Sequence, residues 1–289
     1  MGTELKAKDQ RLNFAVTLLC KASGIFEYVA KDALGRWDHE RHTIKRDHPN
    51  PPELSREVSI GLSRYRATNA DPLRLTLSSF FRMALAEAQA LAIRKLLSKS
   101  TYDSVVTPGP PLPKSHPPPG LVAKLHLECA SLFSSARSLV KTASGPKSKT
   151  KFKPSFGKNK GTDEDGNEGS VEEVAPELKR YLADETALHS ALASKWLGVD
   201  CGESGGLDRI GQAVGYLQWA KKELEGLKDG TKSGITLPGI NNESEKQTRD
   251  RRKATVAREL ETVTIFLKHY KSMNDTVSEG GPTAPFFRL

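Results

Sequence analysis

The chain has 289 residues, of which 37% are hydrophobic and 7% aromatic, and its formal net charge at pH 7 is +9. This length allows one large hydrophobic core or two small ones. Cys20, Cys129 and Cys201 are odd in number and show no CxxC spacing, which fits reduced thiols better than a disulfide framework or a zinc site. We therefore expect reduced thiols in a cytoplasmic protein. Separately, we expect no cofactor.

Apolar residues recur at three- and four-residue steps, which predicts an all-α chain. In chain order, the predicted helices span residues 12–34, 55–66, 72–99, 121–142, 177–197, 207–227 and 246–273. Asp71 and Pro72 predict the start of the third helix, as its N-cap and first-turn proline. Gly198 is expected to end the fifth helix in the left-handed conformation. The apolar run Phe14 to Cys20 is too short to span a bilayer, so membrane residence is expected only through a partner.

Polar, Pro-rich and Gly-rich stretches separate the predicted helices. We expect one helical domain over residues 1–278 and a short disordered tail at 279–289. Flexible insertions are predicted at residues 36–54, 103–119, 143–172 and 229–245. The two helices that flank the Gly-rich turn at 198–206 can bury their apolar stripes only by stacking on further helices. This pattern is typical of a helical-repeat scaffold.

The excess positive charge lies in one low-complexity segment. Between residues 145 and 161 there are six lysines and no acid: Lys147, Lys149, Lys151, Lys153, Lys158 and Lys160. A disordered, solvated insertion is the simplest interpretation, and a weak contact with anionic lipid head groups is the alternative. Only Phe152 and Phe156 interleave these lysines, so a nucleic-acid partner is not expected.

Several short motifs suggest an enzyme, but their context does not support one. The residues 201–206, CGESGG, are similar to the surroundings of a serine-protease nucleophile, yet they join two predicted helices. His39 and His42 lack the four-residue spacing that places two imidazoles on one helix face for zinc. His189 and His269 lie on predicted helices without an evident acid or nucleophile partner. We therefore predict no catalytic residue and no metal site.

A series of motifs then points to a family. In chain order they are KASGIFEYV from residue 21, LAEAQA from 85, LVAKL from 121, the pair Leu188-His189, IGQAVGYLQWAKKEL from 210 and NDTVS from 274. These resemble, in the same order, the motifs of the Bro domain of Alix-like proteins. The resemblance implies a curved helical scaffold with TPR-like hairpins, and we expect the N-terminal part of that domain to be missing. Segments beginning at residues 55, 91 and 107 look most like a fungal branch of the family that acts in ambient-pH signalling.

The resemblance implies a non-catalytic adaptor that binds the C-terminal helix of an ESCRT-III filament subunit. With other components of the pH-signalling complex, it would support proteolytic activation of an alkaline-pH transcription factor, at endosomal or plasma membranes to which it is peripherally recruited. By the matching motifs, Leu121 and Leu125 would be the apolar contacts, with Ala92, Ile93 and Lys95 nearby. Leu121 and Leu125 share one helix face, and core packing of both remains the alternative from the residues alone. The second candidate function is association with anionic lipid or RNA through residues 147–160.

Overall fold

The computed structural model describes residues 2–37, 39–40, 72–103, 109–143, 176–230 and 243–280. Within these ranges the regular structure is entirely helical, which confirms the all-α prediction. The six α-helices are α1 (Gly2–Tyr28), α2 (Pro72–Asp103), α3 (Pro119–Ala143), α4 (Pro176–Ser204), α5 (Ile210–Gly230) and α6 (Glu243–Gly280). A π-helical turn, Val29–Ala33, continues α1, and a 3₁₀ turn, Leu207–Arg209, precedes α5.

Each described helix packs mainly on the helices next to it in order, so that α1 to α6 form a stack. Amphipathic spacing explains this arrangement. Helix α5 buries Ile210, Leu217 and Leu224 at full turns, with Val214 and Leu227 partly buried beside them. This is the stripe that the sequence predicts for the helix.

Two apolar clusters fill the described part of the stack. The larger joins α2 to α6, and its bulkiest buried members are Trp196, Ile210, Leu217, Phe266 and Tyr270. The smaller lies between α2, α3 and α4 and is built around Phe133 and Leu182. Both clusters include residues of α2, α3 and α4, so these three helices join the two clusters in the described part of the chain.

The prediction that Gly198 caps a helix is wrong. Helix α4 continues to Ser204, and the left-handed glycine is Gly206, with φ of 66°. A Cβ atom on residue 198 would lie 2.8 Å from Leu217 Cγ and 3.0 Å from the Ala213 carbonyl oxygen. Glycine is therefore required at 198 because α4 and α5 approach closely there.

We expect Gly198→Ala to lower the free energy of unfolding by about 1–3 kcal/mol, because the added methyl group overpacks the α4–α5 contact. Urea denaturation followed by circular dichroism measures the effect. Gly215→Ala on α5 is the control, since a Cβ atom there meets nothing within 4 Å. That substitution should stabilise the helix by about 0.5–1 kcal/mol. Equal effects of both substitutions would contradict the close-approach interpretation.

Most other predicted boundaries fall close to the observed ones, but α1 begins at Gly2, ten residues before its predicted start, and one motif needs a further correction. Helix α2 begins at Pro72, and α3 spans nearly the predicted residues. Residues 274–278, which resemble a turn that closes the family's helical core, are instead helical, because α6 continues to Gly280. Asp71, the predicted helix at 55–66, the lysine-rich segment at 147–160 and residues 281–289 lie outside the described residues.

Residues 109–118 are irregular but packed. Leu112 contacts the larger cluster, and the His116 ring lies 4.9 Å from the Trp196 ring on α4. The segment leads directly into α3, where the Gly120 N–H donates to Asp200 Oδ1 at 3.0 Å. This part of the predicted flexible insertion is thus attached to α4 and positions the start of α3.

One described helix is long and apolar enough, by length and composition alone, to cross a membrane. It spans Lys6–Trp37, with a mean hydropathy of 1.2 in a window that is 6% buried. Exposed Phe14, Leu18 and Ile25 contribute to the low burial. A single such helix is weak evidence, because signal sequences and core helices of soluble proteins pass the same test.

Candidate protein-binding surface

Helices α2 and α3, which carry all five predicted contact residues, lie side by side and run antiparallel. Gln89 Nε2 on α2 donates to the Leu125 carbonyl oxygen on α3 at 3.0 Å, and Cys129 Sγ donates to the Ala86 carbonyl oxygen at 3.2 Å. As residue numbers rise on α2, the contacting residues on α3 fall. Residues 92–96 therefore lie level with the first turn of α3.

Leu121 and Leu125 form an apolar edge on α3. The Leu121 side chain is 46% exposed, whereas Leu125 is partly buried and packs against the larger cluster. Because the two residues are four apart, they lie one above the other on the helix face. Their neighbours Val122 and Ala123 are fully buried. Val122 and Ala123 therefore belong to the core, whereas Leu121 faces solvent.

The three predicted residues of α2 occupy three different environments. Ala92 is exposed, whereas Ile93 is only 2% exposed and belongs to the larger cluster. Lys95 is partly buried, and its Nζ donates to Asn13 Oδ1 of α1 at 2.5 Å. The structure thus brings Ala92 to the surface, places Ile93 in the core and uses Lys95 to join α1 to α2.

An exposed residue that the motifs did not indicate completes this surface. Leu96 is 38% exposed and lies one turn after Ala92. Gln89, one turn before Ala92, bonds the backbone of Leu125, so the exposed faces of the two helices adjoin. We call Ala92, Leu96, Leu121 and Leu125 the α2–α3 strip. The four-residue step from Ala92 to Leu96 was the available sequence signal.

A buried histidine pair lies between α3 and α4. The Nδ1 atoms of His126 and His189 are 2.9 Å apart, so one imidazole donates and the other accepts. Burial, with the neighbouring imidazole, lowers the pKa of His126 to about 3, and burial lowers that of His189 to about 4. Both rings are therefore neutral near pH 7. The thiol of Cys129 lies 3.7 Å from His189 Nε2, and burial raises its pKa to about 12.

His189 and Ser204, the serine of the CGESGG motif, both lie on α4. In the described ranges no group of three or more His, Cys, Asp or Glu residues could hold a metal ion. His39 and His269 are exposed, and His42 lies outside the described residues. Ser204 is the last residue of α4, so the CGESGG motif is the end of a helix followed by a turn.

Next to the histidines, polar side chains from α2, α4 and α6 meet at a partly buried position. The Tyr181 hydroxyl on α4 donates to Glu87 Oε1 on α2. Arg252 on α6 donates to Asp184 Oδ2 at 3.0 Å and to Glu185 Oε1 at 2.6 Å, both on α4. We call Glu87, Tyr181, Asp184, Glu185 and Arg252 the interhelical carboxyl network. Its members come from three helices that are far apart in sequence, so the pattern of a single helix could not reveal it.

A BRO1-like domain matches residues 1–278 of this chain. The chain belongs to the BRO1-like domain family. This membership confirms the family resemblance that the motifs carry, and with it the all-α BRO1-type fold.

One curated relative is the pH-response regulator protein palC of Cryptococcus neoformans var. neoformans serotype D (strain B-3501A). This BRO1-like chain is 38% identical to it over 272 residues, which cover 91% of the chain and 52% of the relative. The chain thus spans about half the length of the curated relative that it matches. No solved structure significantly matches this chain.

Proposed function

We propose that this BRO1-like chain is a non-catalytic adaptor of ambient-pH signalling that binds the C-terminal amphipathic helix of an ESCRT-III filament subunit. The proposal is supported by the similarity to a pH-response regulator and by the exposed α2–α3 strip at the matching motif. The binding surface comprises Leu121 and Leu125 with Ala92 and Leu96. Ile93 supports this surface from the core, and Lys95 holds α1 beside it.

The geometry of the strip suits a helical ligand. Leu121 and Leu125 are separated by about 6 Å along α3, and Ala92 and Leu96 by the same rise along α2. Two such pairs on adjoining helices offer a surface for the side chains that an amphipathic helix presents at i, i+3, i+4 and i+7. The small Ala92 side chain leaves space between the larger leucines. A few apolar anchors of this kind supply most of the energy of helix-in-groove binding.

In this proposal the chain works in the cytoplasm and is recruited peripherally to endosomal or plasma membranes by the filament subunit. There it brings the components of the pH-signalling complex together for proteolytic activation of a transcription factor. Recruitment through a partner requires no catalytic step by this chain. The apolar side chains of the α2–α3 strip suit such a binding role.

The test is direct binding of a fluorescently labelled peptide of the ESCRT-III C-terminal helix to the purified chain, measured by anisotropy. We expect saturable binding with one peptide per chain. A peptide whose apolar face is interrupted by two aspartates should not bind, because each charge would be desolvated against the strip. Absence of binding by the unmodified peptide would refute the proposal.

The lysine-rich segment supports a second candidate function, association with anionic lipid or RNA. Six lysines without an intervening acid attract polyanions through screened electrostatics. Co-sedimentation with phosphatidylserine vesicles, and filter binding of RNA, should then be lost when residues 145–161 are deleted. Both should also fall steeply as salt increases. Retention of peptide binding in the same deletion variant separates this candidate from the adaptor function.

A further inference from the structure

The interhelical carboxyl network contains more acids than bases. Arg252 donates to both Asp184 and Glu185, and its guanidinium lies 5.1 Å from the centre of the Tyr181 ring. The partner that the structure gives Glu87 is the neutral Tyr181 hydroxyl. If Glu87 ionises, three carboxylates share one guanidinium in a partly buried site, where the Asp184 side chain is still 27% exposed.

The helices around Glu87 contribute few other charges. Helix α4 brings Glu185, which raises the pKa of Glu87, and α6 brings Arg252, which lowers it. Helix α3 brings His126 and Cys129, which are both neutral near pH 7. Helix α1 packs on α2 through Phe26 and Phe80, and in the described residues no charge of α1 acts on this carboxyl. Glu87 is thus the acid of this network without a basic partner of its own.

We propose that the interhelical carboxyl network makes the packing of α2 on α4 proton-dependent: the packing is favoured while Glu87 is protonated and is weakened when Glu87 ionises as the pH rises. The proposal stands on the three-carboxylate, one-guanidinium geometry and does not require the α2–α3 strip to bind a partner. Burial agrees with it, because desolvation, with Glu185, raises the pKa of Glu87 to about 7.

Proton linkage determines the direction of the effect. An acid whose pKa is higher in the folded chain binds more protons when folded, between its unfolded pKa near 4.5 and its folded pKa near 7. Glu87 therefore stabilises the fold at low pH, and this contribution is lost as the pH rises through 7. The buried histidines have the opposite effect on stability below about pH 6.5. Because their pKa values are lowered in the folded chain, they make it less stable as the pH falls. Above that pH their contribution is constant.

The experiment is urea unfolding of the full chain from pH 5.5 to 8.5, for the wild type and for Glu87→Gln. The amide copies the neutral carboxyl, and the histidine contribution cancels in the comparison. We expect the ratio of the two unfolding equilibrium constants to change by up to about tenfold per pH unit below pH 7, in favour of glutamine at high pH. Glu261→Gln, at an exposed position of α6, should leave the pH profile unchanged. A pH-independent ratio for Glu87→Gln overturns the proposal.

Two further measurements decide the matter if Glu87→Gln does not fold. Tyr181→Phe removes the hydroxyl that stabilises ionised Glu87, so the loss of stability should extend to higher pH. In the wild type labelled with ¹³C-glutamate, one side-chain carboxyl should titrate with a midpoint above 6. If every glutamate carboxyl titrates below 5.5, the proposal is wrong.

Discussion

Leu121→Asp is expected to weaken binding of the ESCRT-III helix by about 10- to 100-fold. The substitution removes apolar contact worth about 1.5–3 kcal/mol and requires a carboxylate to be desolvated in the complex. Because the Leu121 side chain already faces solvent, the free protein should remain folded. Fluorescence anisotropy with the labelled peptide measures the affinity, and circular dichroism verifies that the fold is retained.

The matched control is Leu127→Asp on the same helix. Leu127 is 48% exposed, so aspartate at this position should affect the stability of the free chain as little as it does at residue 121. Six residues after Leu121, however, it points away from the α2–α3 strip. Leu125→Asp should also abolish binding, but its partly buried side chain makes a loss of stability part of the result. If Leu121→Asp and Leu127→Asp bind the peptide equally well, the assignment of the strip is wrong.

Glu259→Ala is expected to lower the free energy of unfolding by about 3–5 kcal/mol, as for other buried ion pairs that lose one partner. Lys195 on α4 is only 4% exposed, and its Nζ lies 2.7 Å from Glu259 Oε2 on α6. The substitution leaves a buried ammonium with little beyond the Trp196 ring, 4.6 Å from its Nζ, to stabilise it. Thermal and urea unfolding measure the loss.

A surface pair provides the comparison for Glu259. Lys221 and Glu225 are 3.8 Å apart on α5 and are both exposed, so Glu225→Ala should change stability by less than about 0.5 kcal/mol. Low pH should also weaken the stabilisation that the Lys195–Glu259 pair provides. Burial raises the pKa of Glu259, but Lys195 outweighs burial and the pKa is lowered overall. The stabilisation is therefore present above the unfolded pKa near 4.5 and lost as the pH falls through the folded pKa. Equal losses in the two alanine variants would contradict the burial argument.

The helices could be predicted well because the apolar period is a local property. Helix α3 was predicted at 121–142 and is observed at Pro119–Ala143, and the α5 stripe was read from spacing alone. Gly198 shows where local reading fails. A glycine after an apolar stripe indicates either the end of a helix or a close contact. Only the position of Leu217 on the next helix decides between the two.

Part of the candidate site could be predicted in the same way, and part could not. The motif at residue 121 led to Leu121 and Leu125, and the spacing placed them on one face. It could not show that Ile93, beside exposed Ala92, is turned into the core. That distinction depends on how α2 is rotated against α3.

The buried polar pairs were beyond prediction for a different reason. His126 and His189 are 63 residues apart, and Lys195 and Glu259 are 64 apart. His189 bonds His126 on another helix, and its Nε2 also lies 4.0 Å from Glu185 Oε2, one turn earlier on α4. A pairing between distant helices follows from how the helices stack, which the pattern of a single helix does not contain.

The nearest-neighbour order of the six helices has a consequence for how the molecule opens. In a linear array each unit is held by one interface at an end and by two in the middle. Among the helices that the structure describes, α1 and α6 should therefore fray first, and amide hydrogen exchange should slow progressively from α1 to α4. Lys195 and Arg252 modify that gradient at the other end, since both connect α6 directly to α4. Removing both ion pairs by substitution should make amide hydrogen exchange in α6 as fast as that in α1.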